Sequence, residues 1–226
     1  MVRLVLFDID GTLIHTNRAG IIAFDLAFAT QFKISNAADG VKFAGRTDTG
    51  IVRQLFARHR IQASPENFAL FFDCYADWLA QILPECRGDI LPGIWRFIYD
   101  LQSLPDPPML GLLTGNIRLG AEIKLRHFNL WDFFSIGAFA DDHEDRNQIA
   151  DIARQRGSRV AGARLNGREV LVIGDTPLDI ECGRAIGAKV LAVATGGSTE
   201  EDLDLHRPDW TVPNLERISA REVCGR

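Results

Sequence analysis

Two aspartates, Asp8 and Asp10, stand two residues apart at the end of an apolar run and before Gly11 in the stretch LVLFDIDGTLIHT. Side chains at i and i+2 of an extended chain face the same side. Two carboxylates so placed repel unless positive charge lies between them, and a hard cation such as Mg²⁺, which takes oxygen ligands, meets that need. The structural alternative is that one Asp caps the turn at Gly11; the second acid gains nothing from it. More acid stands in GDTPLD, where Asp175 follows the apolar VLVI run and Asp179 falls four residues on. Thr176 and Pro177 suit the start of a helix there, so Asp179 also fits as an N3 acid favoured by the helix dipole. Donors stand in TGN: the Thr114 hydroxyl and the amides of Gly115 and Asn116 lie where the next helix begins, a setting that binds anions. A phosphate also needs a cation. None of the four lysines, Lys33, Lys42, Lys124 and Lys189, directly follows the third strand, whereas Arg146 does. Its guanidinium can clamp an oxyanion with two donors; the alternative is an ordinary surface Arg.

The elements that must position these residues form a plain pattern. Residues 3–7 predict a strand buried on both faces, as in a parallel sheet. Residues 16–87 offer no strand and three helical patterns, at 19–32, 48–59 and 65–83. The last opens on Ser64 as N-cap with Pro65 at the first helical position, and its stripe of Phe68, Phe71, Phe72, Tyr75, Trp78, Leu79 and Ile82 reads as helix-bundle core. From Asp89 the pattern alternates: a helix started by Pro92, a strand in PMLGLLTGN, a helix in IRLGAEIKLRHF and a strand in FSIGAFADD. A helix stopped by Gly157, then VLVIGDTPLD running from strand to helix, and a strand in KVLAVATGG complete it. Such alternation predicts right-handed βαβ units and a parallel sheet, an α/β core interrupted after its first strand by a helical insert. The expected division is a core of residues 1–15 and 88–226 and an insert of residues 16–87. Ligands of open parallel sheets bind beyond the carboxyl ends of the strands, where FDIDGT, LLTGN and VIGDTPLD would meet. The glycine-rich ATGGSTEEDL reads instead as a capping box of Ser198 with Glu201.

Bulk properties narrow the function. The chain has 226 residues, 46% of them hydrophobic, and a net charge of −5 with both signs interspersed, which argues against a general nucleic-acid binder. The four cysteines, Cys74, Cys86, Cys182 and Cys224, form no CxxC pair and read as reduced thiols of a cytoplasmic protein. No signal peptide or membrane span is expected, since Asp8 stops the first apolar run and Asp25 interrupts the next.

These motifs resemble those of the haloacid dehalogenase-like superfamily, most of whose members are Mg²⁺-dependent phosphatases. The first motif, DxDGT, stands as Asp8-Ile9-Asp10-Gly11-Thr12; the second as Thr114; the fourth, GDxxxD, as Gly174-Asp175 with Asp179. The resemblance implies a three-layer, Rossmann-like parallel-sheet core with an inserted α-helical cap. It implies that Asp8 is the nucleophile and Asp10 the general acid and base. It implies that Mg²⁺ is held by the Asp8 carboxylate, the Asp10 backbone carbonyl and Asp175, with Asp179 acting through water. Gly11, Thr12, Thr114, Gly115, Asn116 and Arg146 would bind the phosphate, Arg146 taking the place of the usual third-motif Lys. Hydrolytic dehalogenases and phosphonoacetaldehyde hydrolases lack the second Asp, so Asp10 argues for phosphate monoesters.

Within the insert, FAGRTDTGIV resembles the Gly-x-Thr-Asp segment of phosphoglycolate phosphatase-like members. There Gly45 turns the chain, Thr47 or Asp48 caps a helix, and Arg46 reaches toward an anionic substrate; Arg18 is a lesser candidate, and His15 either lines the cleft or lies on the surface. The expected partner is a small phosphorylated metabolite such as phosphoglycolate, with neither nucleic acid nor membrane, and the protein a monomer or homodimer. Three other readings stay open: a phosphomutase, a nucleotide phosphatase or pyrophosphatase, and a non-catalytic phosphate-binding protein.

Overall fold

The computed structural model describes residues 1–225. The chain enters through β1 (Leu4–Phe7) and a two-residue strand, β2 (Ile14–His15). Three helices follow, α1 (Ala19–Phe32), α2 (Asp48–Arg58) and α3 (Pro65–Ile82), then β3 (Asp89–Ile90), which pairs antiparallel with β2. Beyond it run α4 (Ile94–Gln102), β4 (Met109–Leu113), α5 (Arg118–His127), β5 (Ile136–Ala138) and α6 (Arg146–Val160). The remainder is β6 (Val170–Gly174), α7 (Pro177–Ala185), β7 (Lys189–Val193), the short helix α8 (Glu200–Asp204), β8 (Trp210–Val212) and the short helix α9 (Ala220–Cys224).

Six strands form one parallel sheet in the order β5-β4-β1-β6-β7-β8. β1 is central, so its alternating side chains feed two cores. Leu4 and Leu6 pack with Ile149, Ala153 and Val172 on the side of α6, while Val5 and Phe7 pack with Phe97, Leu125 and Ile173 on the side of α4 and α5. All four residues of β1 are fully buried, which is why the strand reads as a continuous apolar run. The chain leaves β1 toward β4 and β5, then returns to place β6 on the other side of β1. That reversal opens a crevice beyond the carboxyl ends of β1, β4 and β6.

Helices α1–α3 build a separate core. Phe28 and Phe71 lie 4.8 Å apart, as do Phe24 and Tyr75. Of the stripe on α3, Phe71, Tyr75 and Leu79 are buried, and Phe68, Phe72, Trp78 and Ile82 flank them. Ser64 caps α3 through its hydroxyl, which accepts from the Asn67 amide at 3.3 Å. Among the described residues Cys74, Cys86 and Cys182 are free thiols, and no helix is long and apolar enough to cross a membrane.

Four local expectations are corrected. Helix α4 starts at Ile94 behind Gly93, not at Pro92. Gly93 has φ 84°, and a Cβ there would stand 2.5 Å from the backbone of Leu215 and Glu216, so the glycine permits a close approach. Gly157 does not stop α6, which runs on to Val160. A Cβ at 157 would lie 2.6 Å from Leu4 Cδ2, so the glycine lets the helix press onto β1. The capping box of α8 is Thr199 with Asp202, one residue beyond Ser198 and Glu201, and Gly196 before it folds inward against Asp175. Strand β8 was not expected, since its three residues are half-buried at the sheet edge and carry no apolar run.

Candidate active site

The loop after β1 is built around two glycine contacts. The Asp8 amide donates to the Ile173 carbonyl at 2.9 Å, extending the pairing of β1 with β6 and holding Asp8 buried beside that strand. Gly11 follows with φ 84°; a Cβ there would stand 2.5 Å from Asp175 Oδ2. A Cβ on Gly196 would come within 1.8 Å of the same oxygen. Asp175, carried at the end of β6, therefore sits between two backbones that only glycine allows so near. The Thr12 hydroxyl donates to Asp175 Oδ1 at 3.0 Å. The Thr12 hydroxyl thus orients a carboxylate.

Asp8, Asp175 and Asp179 each bring a carboxylate oxygen within 4.8 Å of the others, all three buried. Asp179 acts in both of the ways its position allowed. As the N3 acid of α7 it accepts from the Thr176 amide at 3.0 Å and the Thr176 hydroxyl at 2.6 Å, and its other oxygen takes the Arg146 guanidinium. Arg146 opens α6 behind the N-cap Asp145, is itself buried, and stands 3.7 Å from Asp8 Oδ1. Burial pushes Asp8 up to about 7, Asp179 adds to that rise, and Arg146 opposes it. Asp175 is raised well above the ordinary carboxylate range by burial and then by Asp179 and Asp8. Three buried carboxylates against one guanidinium leave unbalanced negative charge among oxygen ligands. That donor set fits a hard divalent cation.

Asp10 points elsewhere. Its Oδ2 accepts from Lys124 Nζ at 2.6 Å and from Asn116 Nδ2 at 2.8 Å, so its side chain stands outside the acidic triad. Asn116 also donates to Thr114 Oγ1 at 2.9 Å, and the buried Thr114 hydroxyl favours the charged form of Asp8. Lys124 is a site residue that sequence reasoning passed over, because it does not follow the third strand. Its signal was legible on α5: Ala121, Lys124 and Leu125 share the buried face, and a lysine in an apolar stripe calls for a partner.

The insert closes over this crevice through the start of α2. Thr47 is its N-cap, accepting from the Gly50 amide at 3.3 Å and donating to the Glu144 carbonyl at 2.9 Å. Asp48, the first helical residue, donates its amide to the Gly115 carbonyl at 2.7 Å and accepts from the Ile117 amide at 2.8 Å. Gly115 must be a glycine here, since a Cβ would lie 2.1 Å from the Arg46 carbonyl oxygen. The cavity left between insert and sheet holds about 340 Å³. Asp8, Asp10, Thr114, Arg146 and Asp175 line its floor; Ile21, Phe24, Phe43 and Ile51 line its roof, with His15, Arg18 and Arg46 among the remaining lining residues. The Arg46 guanidinium donates to the Lys42 carbonyl at 3.2 Å. Gly196 and Gly197 also line the cavity, which the reading of ATGGSTEEDL as a purely structural cap did not anticipate.

Asp48 makes a testable electrostatic mark. Burial pushes its carboxyl from 3.8 up to about 7, against the pull of Lys124 and the Ile117 amide. The folded chain then holds this proton more tightly than the unfolded chain, so its contribution to stability falls as pH rises from about 4 to about 7. Asp48→Asn is expected to melt above wild type at pH 8 by at least about 2 °C, the shift that 1 kcal/mol brings in a chain of this size. The gap should close by pH 4. Melting curves that stay parallel across that range would exclude Asp48 as the source.

Fold and site together define a hydrolase of the phosphatase class, with a paired-aspartate loop at the end of the central strand and buried acids beside it. The chain belongs to the haloacid dehalogenase-like hydrolase family, whose model matches residues 5–193. It is 26% identical over 229 residues to the pyrophosphatase PpaX of Bacillus pumilus, covering 97% of this chain and 95% of that one. The solved structure of CbbY from Rhodobacter sphaeroides in complex with phosphate superposes with a TM-score of 0.76 at 17% identity, covering 99% of both chains. A predicted phosphoglycolate phosphatase from Haemophilus somnus superposes with a TM-score of 0.69 at 15% identity, covering 95% of both.

Proposed function

We propose that this protein is a Mg²⁺-dependent phosphatase that hydrolyses a small organic phosphate monoester through an aspartyl-phosphate on Asp8. The observation that carries this reading is the split between two aspartates of one loop. Asp8 lies among Asp175, Asp179 and Arg146, while Asp10 is turned away toward Lys124 and Asn116. One acid is thus placed for attack and the other for proton transfer.

Asp8 attacks phosphorus as the ester bond breaks, and Asp10 protonates the departing oxygen. Asp10 then takes a proton from the water that cleaves the acyl phosphate. The Thr114 hydroxyl, the loop amides of Gly115 and Asn116 and the Arg146 guanidinium stabilise the charge on the transferring group. Asp8, Asp175 and the Asp10 carbonyl would hold Mg²⁺, with Asp179 behind them, and the ion supplies charge neutralisation at the phosphoryl oxygens. Helices α1–α3 act as a cap that excludes water from the acyl phosphate. The apolar roof favours an ester with a carbon body over inorganic pyrophosphate, which has no apolar surface to bury against Ile21, Phe24 and Phe43. Arg46 serves an acidic group on that body. The protein acts in the cytoplasm, as a monomer or homodimer.

The test is release of inorganic phosphate from 4-nitrophenyl phosphate with Mg²⁺ and with excess EDTA. Release that falls to background in EDTA and returns with added Mg²⁺ is expected. Undiminished release in EDTA would remove the metal from the reading, and no release under either condition would remove the phosphatase.

A further inference from the structure

Lys124 is an unusual residue for its place. It lies on the buried face of α5 between Ala121 and Leu125, only 4% exposed, where an apolar side chain would fill the stripe without desolvating a charge. Its ammonium is spent on two groups of the crevice, Asp10 Oδ2 at 2.6 Å and Asn116 Oδ1 at 2.6 Å. Asn116 closes the triangle by donating to the same Asp10 oxygen at 2.8 Å. Helix α1 passes over it at Gly20, where a Cβ would meet Lys124 Nζ at 3.6 Å, and the Tyr75 hydroxyl stands 3.8 Å from that same position. The insert therefore seals Lys124 in, next to a carboxylate whose own side chain is 41% exposed.

We propose that Lys124 is the positioning residue of Asp10: with Asn116 it occupies Oδ2 and so confines the transferable proton to Oδ1. Two donors on one carboxyl oxygen leave the other as the only place for an acidic hydrogen. The carboxyl group is also locked in rotation by a rigid helix on one side and the Thr114–Asn116 loop on the other. In the transfer step the Asp8 oxygen–phosphorus bond forms as the phosphorus–ester oxygen bond breaks, and the proton on Oδ1 passes to the ester oxygen. In the hydrolytic step water returns a proton to Oδ1.

This inference rests on the phosphatase reading, and its test separates the two. A residue that acts through the general acid matters in proportion to the basicity of the leaving oxygen. kcat/KM reports the steps through transfer to Asp8. Lys124→Met is expected to lower kcat/KM for a simple alkyl phosphate about tenfold or more, and for 4-nitrophenyl phosphate, whose leaving group needs no proton, less than about threefold. In an Asp10→Asn background, Lys124→Met should cost the alkyl ester nothing further. Equal losses on both esters, or a full additional loss in the Asp10→Asn background, would overturn the proposal while leaving the phosphatase reading intact. Wild type inactive on both esters would overturn that reading and this inference with it. Should Lys124→Met fail to fold, Lys124→Leu carries the same comparison, since it suits the apolar stripe and offers Oδ2 no donor.

Discussion

Asp8→Asn is expected to abolish phosphate release, by about 10⁴-fold or more, the scale on which loss of a catalytic nucleophile is felt. The amide matches the carboxylate in shape but lacks the anionic oxygen that must bond phosphorus. The same substitution should leave the fold intact or raise its melting temperature at neutral pH in EDTA. The reason is electrostatic: Asp8 is buried with Asp179 and Asp175, and burial and the Asp179 charge already push its carboxyl up to about 7. Removing one charge from a crowded acidic cluster relieves repulsion, so loss of activity and gain of stability arise together. Phosphate release and thermal melting on one preparation decide the matter. Turnover within tenfold of wild type would take Asp8 out of the nucleophile's role.

Arg146→Ala is the second large effect. Arg146 is the one cation in ion-pair contact with the triad among the described residues, bonded to Asp179 and 3.7 Å from Asp8, with its other arm on the Gly45 carbonyl at 3.2 Å. Burial works against its charge, and the Asp179 and Asp8 carboxylates more than offset it, so the guanidinium stays protonated at any working pH. Its loss leaves Asp179 buried without its partner, a change that typically costs about 3–5 kcal/mol. It also removes a donor from the transferring phosphoryl group, where a guanidinium contributes about 10³–10⁵ in rate in related chemistry. The expected result is a fall in kcat of about 10³-fold together with a lowered melting temperature. Arg146→Lys should recover the stability better than the rate, because an ammonium restores charge but cannot reach Asp179 and Gly45 at once with a planar fork. Near-wild-type kinetics in both variants would place the charge balance of the site elsewhere.

The motif residues were legible because each lies at the end of a strand that its own neighbours declare. LVLF, MLGLL and VLVIG are apolar without interruption, so the polar groups that follow them must leave the sheet at its carboxyl edge. The helices of the insert were equally plain, since Ser64 with Pro65, and the stripe on α3, carry local start signals and a 3.6-residue period. Gly157 misled because a glycine that ends a helix and a glycine that lets one element press against another look the same in a sequence, and only the Leu4 side chain tells them apart.

The sequence by itself determined which groups are available: two aspartates on one loop, two more around the start of α7, a threonine and an asparagine after β4, and an arginine at the head of α6. Local chain geometry sets these, through strand alternation, turn glycines and helix capping. The tertiary structure decided who partners whom. Lys124 reaches Asp10 across 114 residues, Arg146 takes Asp179, Thr12 turns to Asp175 and Asp48 of the insert clasps the Ile117 amide. A charge chooses its partner by distance and burial, and both are set by how separate elements pack.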